Sequence, residues 1–269
     1  MPNDGEIYIM KRTLAILIFI SISVLTCFNV YAEESELCWY CVRSGKKQPS
    51  VTREEMLLSR YGGVSIDRGV NDNSDKKVIY LTFDAGYENG NTEKIVDVMN
   101  EKGVKGAFFL LSNFILKNGE LTKKIAESGH TICNHTSKHE NISLYSKEMI
   151  SECIGRLERT YKECTGREMT KFFRFPEGKY SESSLAYLSE LGYTPVFWSF
   201  AYEDWNNGKQ PNESAAFKKV IDNTHNGAIL LFHPTSETNA RIFPRLIDAW
   251  REMGYTFGTL DEIKTNIQK

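Results

Sequence analysis

At 269 residues, 41% hydrophobic and 25% charged, the chain has the composition of an ordinary globular protein, which excludes disorder, coiled coil and collagen. A formal net charge of −2, from 33 basic against 35 acidic side chains, supplies no field that would gather nucleic acid, so none is expected as a partner. Aromatics at 12% suit a sizeable core and equally suit stacking on sugar rings.

In chain order the first element is an apolar run over 13–30, preceded by Lys11 and Arg12 and followed by Ala32 and then Glu33 and Glu34. A basic start, apolar middle and small residue at the cut are the layout of a secretory signal cleaved after Ala32. The alternative is a retained membrane anchor, because the run just reaches spanning length. Either reading exports the rest. Residues 1–32 are therefore signal peptide or anchor, 33–73 read as an extension wrapped round the fold, and 74–269 as a single domain. Of the six cysteines, Cys27 falls in the leader and leaves an odd five. Cys153 and Cys164 lie on one expected helix, roughly 16 Å apart along its axis, too far to bond to each other. Cys38 and Cys41 form a lone CxxC with no second pair to complete a zinc site, and read as packing or a local bridge.

From Lys77 onward strand and helix patterns alternate. Strands are expected over 78–83, 106–111, 131–134, 172–175, 194–199, 228–232 and 256–260. Helices are expected over 91–101, 117–128, 146–164, 181–191, 213–222 and 242–253, each with apolar residues at helical spacing. About seven strands alternating with helices, without hairpin signals, indicate a parallel α/β barrel or doubly wound sheet. In such folds chemistry collects past the carboxyl ends of the strands. Asp84 follows the first strand, His135 and His139 the third, Arg174 the fourth, Asp204 the fifth and His233 the sixth. His130 and His225 precede their strands, at the opposite rim, and read as surface or structural residues. The HxxxH spacing would let two imidazoles of one helical turn face a divalent metal such as zinc. A carboxylate beside a metal-bound water is an arrangement for hydrolysis.

TFDAG (82–86), HTSKH (135–139), RFPEG (174–178), WSFAYEDW (198–205) and LFH (231–233) together resemble the five ordered motifs of the polysaccharide deacetylases, the NodB-homology domain of carbohydrate esterase family 4. FDAGYENG, FRFPEGKYSE and FWSFAYEDW are more similar still to the delta-lactam-biosynthetic de-N-acetylases of sporulating bacteria, and the likeness runs from about 37 to 260. The resemblance implies a distorted (β/α) barrel. It implies Asp84 as general base held by Arg174, His135 and His139 as metal ligands, and His233 as the acid that protonates the departing amine. Substrate contacts would come from the backbone of Glu177 and from Trp198, Asp204 and Trp205. No organic cofactor is implied; a divalent metal, zinc foremost, is. The implied reaction is N-deacetylation of peptidoglycan glycan strands at N-acetylmuramic acid, outside the cytoplasm at the cell or forespore envelope. Deacetylation of N-acetylglucosamine or chitin-like oligomers is the nearer alternative.

Two departures bear on this. Most of the family has an aspartate as third metal ligand where Ala85 stands, and another aspartate, expected to pair with the acidic histidine, where Ala201 stands. The delta-lactam subgroup resembles this chain in both. A two-imidazole site binds metal more weakly, and Ala201 leaves His233 without an identified partner unless Asp204 reaches it. A catalytically silent glycan-binding protein is the reading from another class that Ala85 suggests.

Overall fold

The sheet's longest strand alternates strictly, and that alternation decides which residues can meet at the site. In a computed structural model that describes residues 35–267 together with Asn3, β2 (Lys77–Ala85) turns Val78 and Tyr80 to one face and Ile79, Leu81, Phe83 and Ala85 to the other. The first face meets Phe109, Cys133, Phe172, Val196 and Ile229 inside the curled sheet; the second packs against the helices through Ile95, Met99, Phe243 and Trp250. Period-two geometry then carries Thr82 and Asp84 onto the inner face, at the strand's carboxyl end. The same parity puts Arg174 beyond Phe172, His135 beyond Cys133 and His233 beyond Ile229.

The chain divides into two units, Met1–Ser35 and Glu36–Lys269, and the sheet belongs to the second. The leader or anchor assigned to 1–32 lies outside the described residues, apart from Asn3. Among the described residues no helix is long and apolar enough to cross a membrane.

Six parallel strands run in the order β7 (Thr194–Pro195), β5 (Phe172–Phe173), β4 (Thr131–Asn134), β3 (Ala107–Leu110), β2 and β8 (Ala228–Phe232), and β9 (Tyr255–Phe257) pairs with the start of β2. The register sets Asp84 opposite Phe109 and Phe83 opposite Phe232. This is the distorted parallel barrel that the sequence implied. Helices α2 (Asn91–Glu101), α5 (Lys147–Thr165), α7 (Glu213–Asp222) and α8 (Glu237–Glu252) cover it. Ser146 and Ser236 cap α5 and α8 by accepting the backbone N–H three residues on.

Several elements differ from the expected pattern. The helix expected over 117–128 is two, α3 (Ser112–Lys117) and α4 (Gly119–Glu127), because Asn118 leaves helical geometry at φ −134° and its side chain closes α3 on the Phe114 carbonyl at 3.0 Å. The strands expected over 172–175 and 194–199 form two-residue ladders. In the first case Pro176 lacks an N–H and a tight turn (Pro176–Gly178) follows. In the second, the chain from Val196 to Phe200 runs along the seam between β7 and β8 instead. Val64 bridges Val196, Ile66 bridges Ala228 and Phe200 bridges Leu230, so residues of the 33–73 segment sit in the barrel wall. That segment also carries α1 (Arg53–Arg60) and β1 (Leu37–Cys38), which pairs antiparallel with β6 (Lys179–Tyr180).

Candidate active site

Asp84 and Arg174 form the centre. Arg174 is fully buried, and every donor it aims has a taker: Nη1 donates to Asp84 Oδ1 at 2.8 Å, Nη2 to Thr82 Oγ1 at 2.9 Å, and Nε to the Val196 carbonyl at 3.0 Å. Its guanidinium lies 4.1 Å from the Phe109 ring centroid. Burial opposes the charge on Asp84, but Arg174 foremost, with His233, outweighs it and holds the carboxyl below its ordinary value. Asp84 is thus an ionised carboxylate with one oxygen anchored and the other turned to His135, where Oδ2 and Nε2 are 3.5 Å apart.

His135 is buried, and its Nδ1 donates to the Arg174 carbonyl at 2.8 Å, which leaves Nε2 as the lone-pair nitrogen facing Asp84. Burial pushes its pKa down to about 4, so the ring is neutral at physiological pH. His139 stands edge-on to it, centroids 5.0 Å apart. The helical turn expected for this pair is a loop. Thr136 and His139 take positive φ of 66° and 61°, Asn134 Oδ1 accepts the Thr136 N–H at 2.9 Å, and Thr136 Oγ1 accepts the Glu140 N–H at 2.9 Å. Two left-handed residues fold the chain back within four positions, so the imidazoles meet without a helix.

Across the rim, His233 Nδ1 pairs with Asp204 Oδ1 at 2.7 Å, and its backbone N–H donates to Asp204 Oδ2 at 2.9 Å. Asp204 is fully buried, so its carboxylate serves His233 and presents no surface of its own, and it fills the partner position that Ala201 left open. Burial alone would lower the histidine's pKa; the charge and hydrogen bond of Asp204, aided by Asp84, raise it instead. Asn239 Nδ2 donates to Asp204 Oδ2 at 2.7 Å, and the Tyr202 hydroxyl contacts Asn239 Oδ1. Thr82, Tyr202 and Asn239 escaped the sequence reading. The one available signal was that Asn239 is polar on the stripe of α8 that carries Ile242, Phe243 and Leu246.

Of the other substrate-side residues, Trp205 is exposed and lies edge-on to His233, centroids 5.8 Å apart. Trp198 is half-buried, accepts the Trp39 indole N–H on its carbonyl at 2.9 Å and leans over Arg174, so much of its ring is wall. Glu177 has left-handed φ of 56°, and its carboxylate pairs with Lys179 at 2.7 Å. Gly178 beside it is at φ 68°, and a Cβ there would come within 3.0 Å of the Trp198 ring. His130 and His225 are buried structural residues. His130 Nδ1 accepts the Gly106 N–H at 3.2 Å, and His225 Nδ1 bonds the Asn226 carbonyl at 2.9 Å. Cys38 and Cys41 are free thiols, as are Cys133, Cys153 and Cys164.

An ionised carboxylate and a histidine whose pKa a buried aspartate raises, at the carboxyl rim of a parallel barrel, define an acid–base hydrolase. Residues 71–196 match the polysaccharide deacetylase family. The peptidoglycan-N-acetylmuramic acid deacetylase PdaA of Bacillus subtilis is 33% identical over 227 residues, covering 84% of this chain and 84% of the relative. A solved structure of Bacillus subtilis PdaA, a family 4 carbohydrate esterase, superposes with a TM-score of 0.79 at 32% identity, over 85% of this chain and 97% of that one. A family 4 carbohydrate esterase from Bacillus anthracis gives 0.70 at 33% identity, over 86% and 97%. The peptidoglycan-N-acetylglucosamine deacetylase PgdA of Listeria monocytogenes is 29% identical over 187 residues, 70% of this chain and 39% of the relative. The chain belongs to the polysaccharide deacetylases of carbohydrate esterase family 4, and it is a hydrolase of that family.

Deacetylases of this family are in general metal-dependent. Here two imidazoles, one of them a buried neutral ring with Nε2 open, are donors suited to a divalent ion. Ala85 packs in the outer apolar layer and supplies no third ligand. Among the described residues no three His, Cys, Asp or Glu side chains converge on one metal position. The two imidazoles are donors of a kind that would hold such an ion.

Proposed function

We propose that this chain removes N-acetyl groups from the amino sugars of peptidoglycan strands, acting on N-acetylmuramic acid in the route to the muramic delta-lactam of spore cortex. The observation that carries the reading is the opposed pairing at one rim, Asp84 bonded to Arg174 and lowered, His233 bonded to Asp204 and raised. The extent of the likeness to PdaA supports muramic acid as the sugar. The apolar run over 13–30, read as part of a leader or anchor over 1–32, supports export as a secreted or anchored enzyme.

Asp84 Oδ2 accepts a proton from the attacking water while Arg174 keeps Oδ1 in place. The Glu177 backbone N–H faces the acetyl oxygen as charge develops there. His233, whose Nδ1 is committed to Asp204, delivers the proton on Nε2 to the departing amine, and acetate leaves. Trp205 supplies an exposed face for the sugar ring. A divalent ion, zinc or a related metal, held by His135 and His139, would acidify the water and polarise the acetyl carbonyl.

Incubation of the purified protein with peptidoglycan, before and after amidase removal of stem peptides, tests this by acetate release and product mass. Loss of one acetyl from a lactyl-bearing sugar is expected. Loss from glucosamine alone moves the assignment to the glucosamine alternative, and no acetate from either substrate overturns the proposal.

A further inference from the structure

Asn239 is fully buried in the first turn of α8, between two groups whose hydrogen-bonding needs are opposite. Asp204, as a carboxylate, only accepts, and its Oδ2 takes Asn239 Nδ2 at 2.7 Å. The amide must therefore present Oδ1 to Tyr202, and the Tyr202 hydroxyl must donate to it. No member of the chain Tyr202, Asn239, Asp204, His233 can reverse its polarity without leaving a buried carboxylate facing a carbonyl oxygen. The second hydrogen on Nδ2 reaches the His233 carbonyl at 3.3 Å, so one amide holds both the backbone of the histidine and its carboxylate partner. Asn239 is itself fixed, because its own N–H donates to Ser236 Oγ at 3.1 Å. The charged groups that face His233 are Asp204 from the segment before α7, Asp84 from β2 and Arg174 beyond β5. Of these, Asp204 alone bonds the ring, and Asn239 shares with the His233 backbone N–H the hold on its other oxygen.

We propose that Asn239, with the sense of its amide set by Tyr202, is a positioning residue for proton delivery: it holds Asp204 Oδ1 on Nδ1 of His233 so that the proton on Nε2 points at the departing amine. Neither residue touches substrate; both act through Asp204. The inference rests on the deacetylation proposed above.

Full-length Asn239→Leu and Tyr202→Phe variants test it, with folding checked by thermal melts. The first readout needs no substrate: the His233 Nδ1 proton, bonded to a carboxylate, gives a far-downfield proton resonance, assigned by its loss in His233→Gln. In Asn239→Leu that resonance broadens away or moves upfield, and in Tyr202→Phe it weakens. On the glycan that the native chain deacetylates, kcat falls about tenfold to a hundredfold in Asn239→Leu and severalfold in Tyr202→Phe, with KM unchanged. Folded variants with the native resonance and native kcat overturn the proposal, as does a loss of kcat with the resonance intact. If the native chain releases no acetate from any glycan, the deacetylase reading fails while the resonance still decides the positioning claim.

Discussion

Replacing Arg174 by Met retains volume and removes a charge that is wholly enclosed. Its partner Asp84 is nearly as enclosed, with 9% of its side chain exposed, so the variant leaves a buried carboxylate without its cation. The carbonyl of Val196 and the hydroxyl of Thr82 lose their donors as well. Breaking a buried pair from one side costs about 3–5 kcal/mol. For a chain of this size each kcal/mol moves Tm by about 2–4 °C, so a fall of about 6–20 °C is expected in calorimetric melts. Asp84→Asn, which strands the guanidinium, should cost a similar amount. The double variant removes both charges and should be less destabilised than the sum of the singles by about 2 kcal/mol or more. Acetate release should vanish in both singles, since one lacks the base and the other its anchor. A Tm for Arg174→Met within about 2 °C of native, or strict additivity in the cycle, would refute the assignment of this pair as the buried electrostatic centre.

Other outcomes follow from the same geometry. Asp204→Asn removes the charge that raises His233, burial then lowers that histidine, and the alkaline limb of the kcat/KM profile should move to lower pH with kcat reduced about a hundredfold; an unmoved limb would assign the acid elsewhere. His135→Ala should lower bound zinc and activity together in equilibrium dialysis against the metal, and full activity of the native chain in excess chelator would remove the metal from the reaction. His130, pushed down to about 4 by burial, is neutral when folded and takes up a proton on unfolding below its ordinary 6.5. Its contribution therefore erodes as pH falls through that window, and urea melts at pH 7 and pH 5 should differ less in His130→Gln than in the native chain. Trp205→Ala should raise KM about tenfold with Tm unchanged, because the ring is exposed and lies edge-on to His233 at the rim.

What the sequence determined by itself was the set of chemical parties and the rim on which they stand. Short-range rules sufficed for that. Alternation along β2 puts Asp84 in phase with Tyr80, and the same parity carries His135, Arg174 and His233 inward once each strand is recognised. Five short motifs in order then named the family. What only the tertiary structure decided was who bonds whom. His135 and His139 share a spacing that reads as one turn of helix, yet two left-handed residues bring them together, a conformation that sequence spacing does not encode. Asp204 lies past its strand like the other site residues and so reads as a substrate contact, but the seam between β7 and β8 buries it against His233. Asn239 arrives from α8, 35 positions along the chain from Asp204, and no local pattern links the two. Residues 64–66 enter the barrel wall because β7 ends at Pro195 and leaves a gap beside β8 that backbone groups must fill. Pairing across such distances depends on how strands close, and closure is a property of the whole sheet rather than of any window of residues.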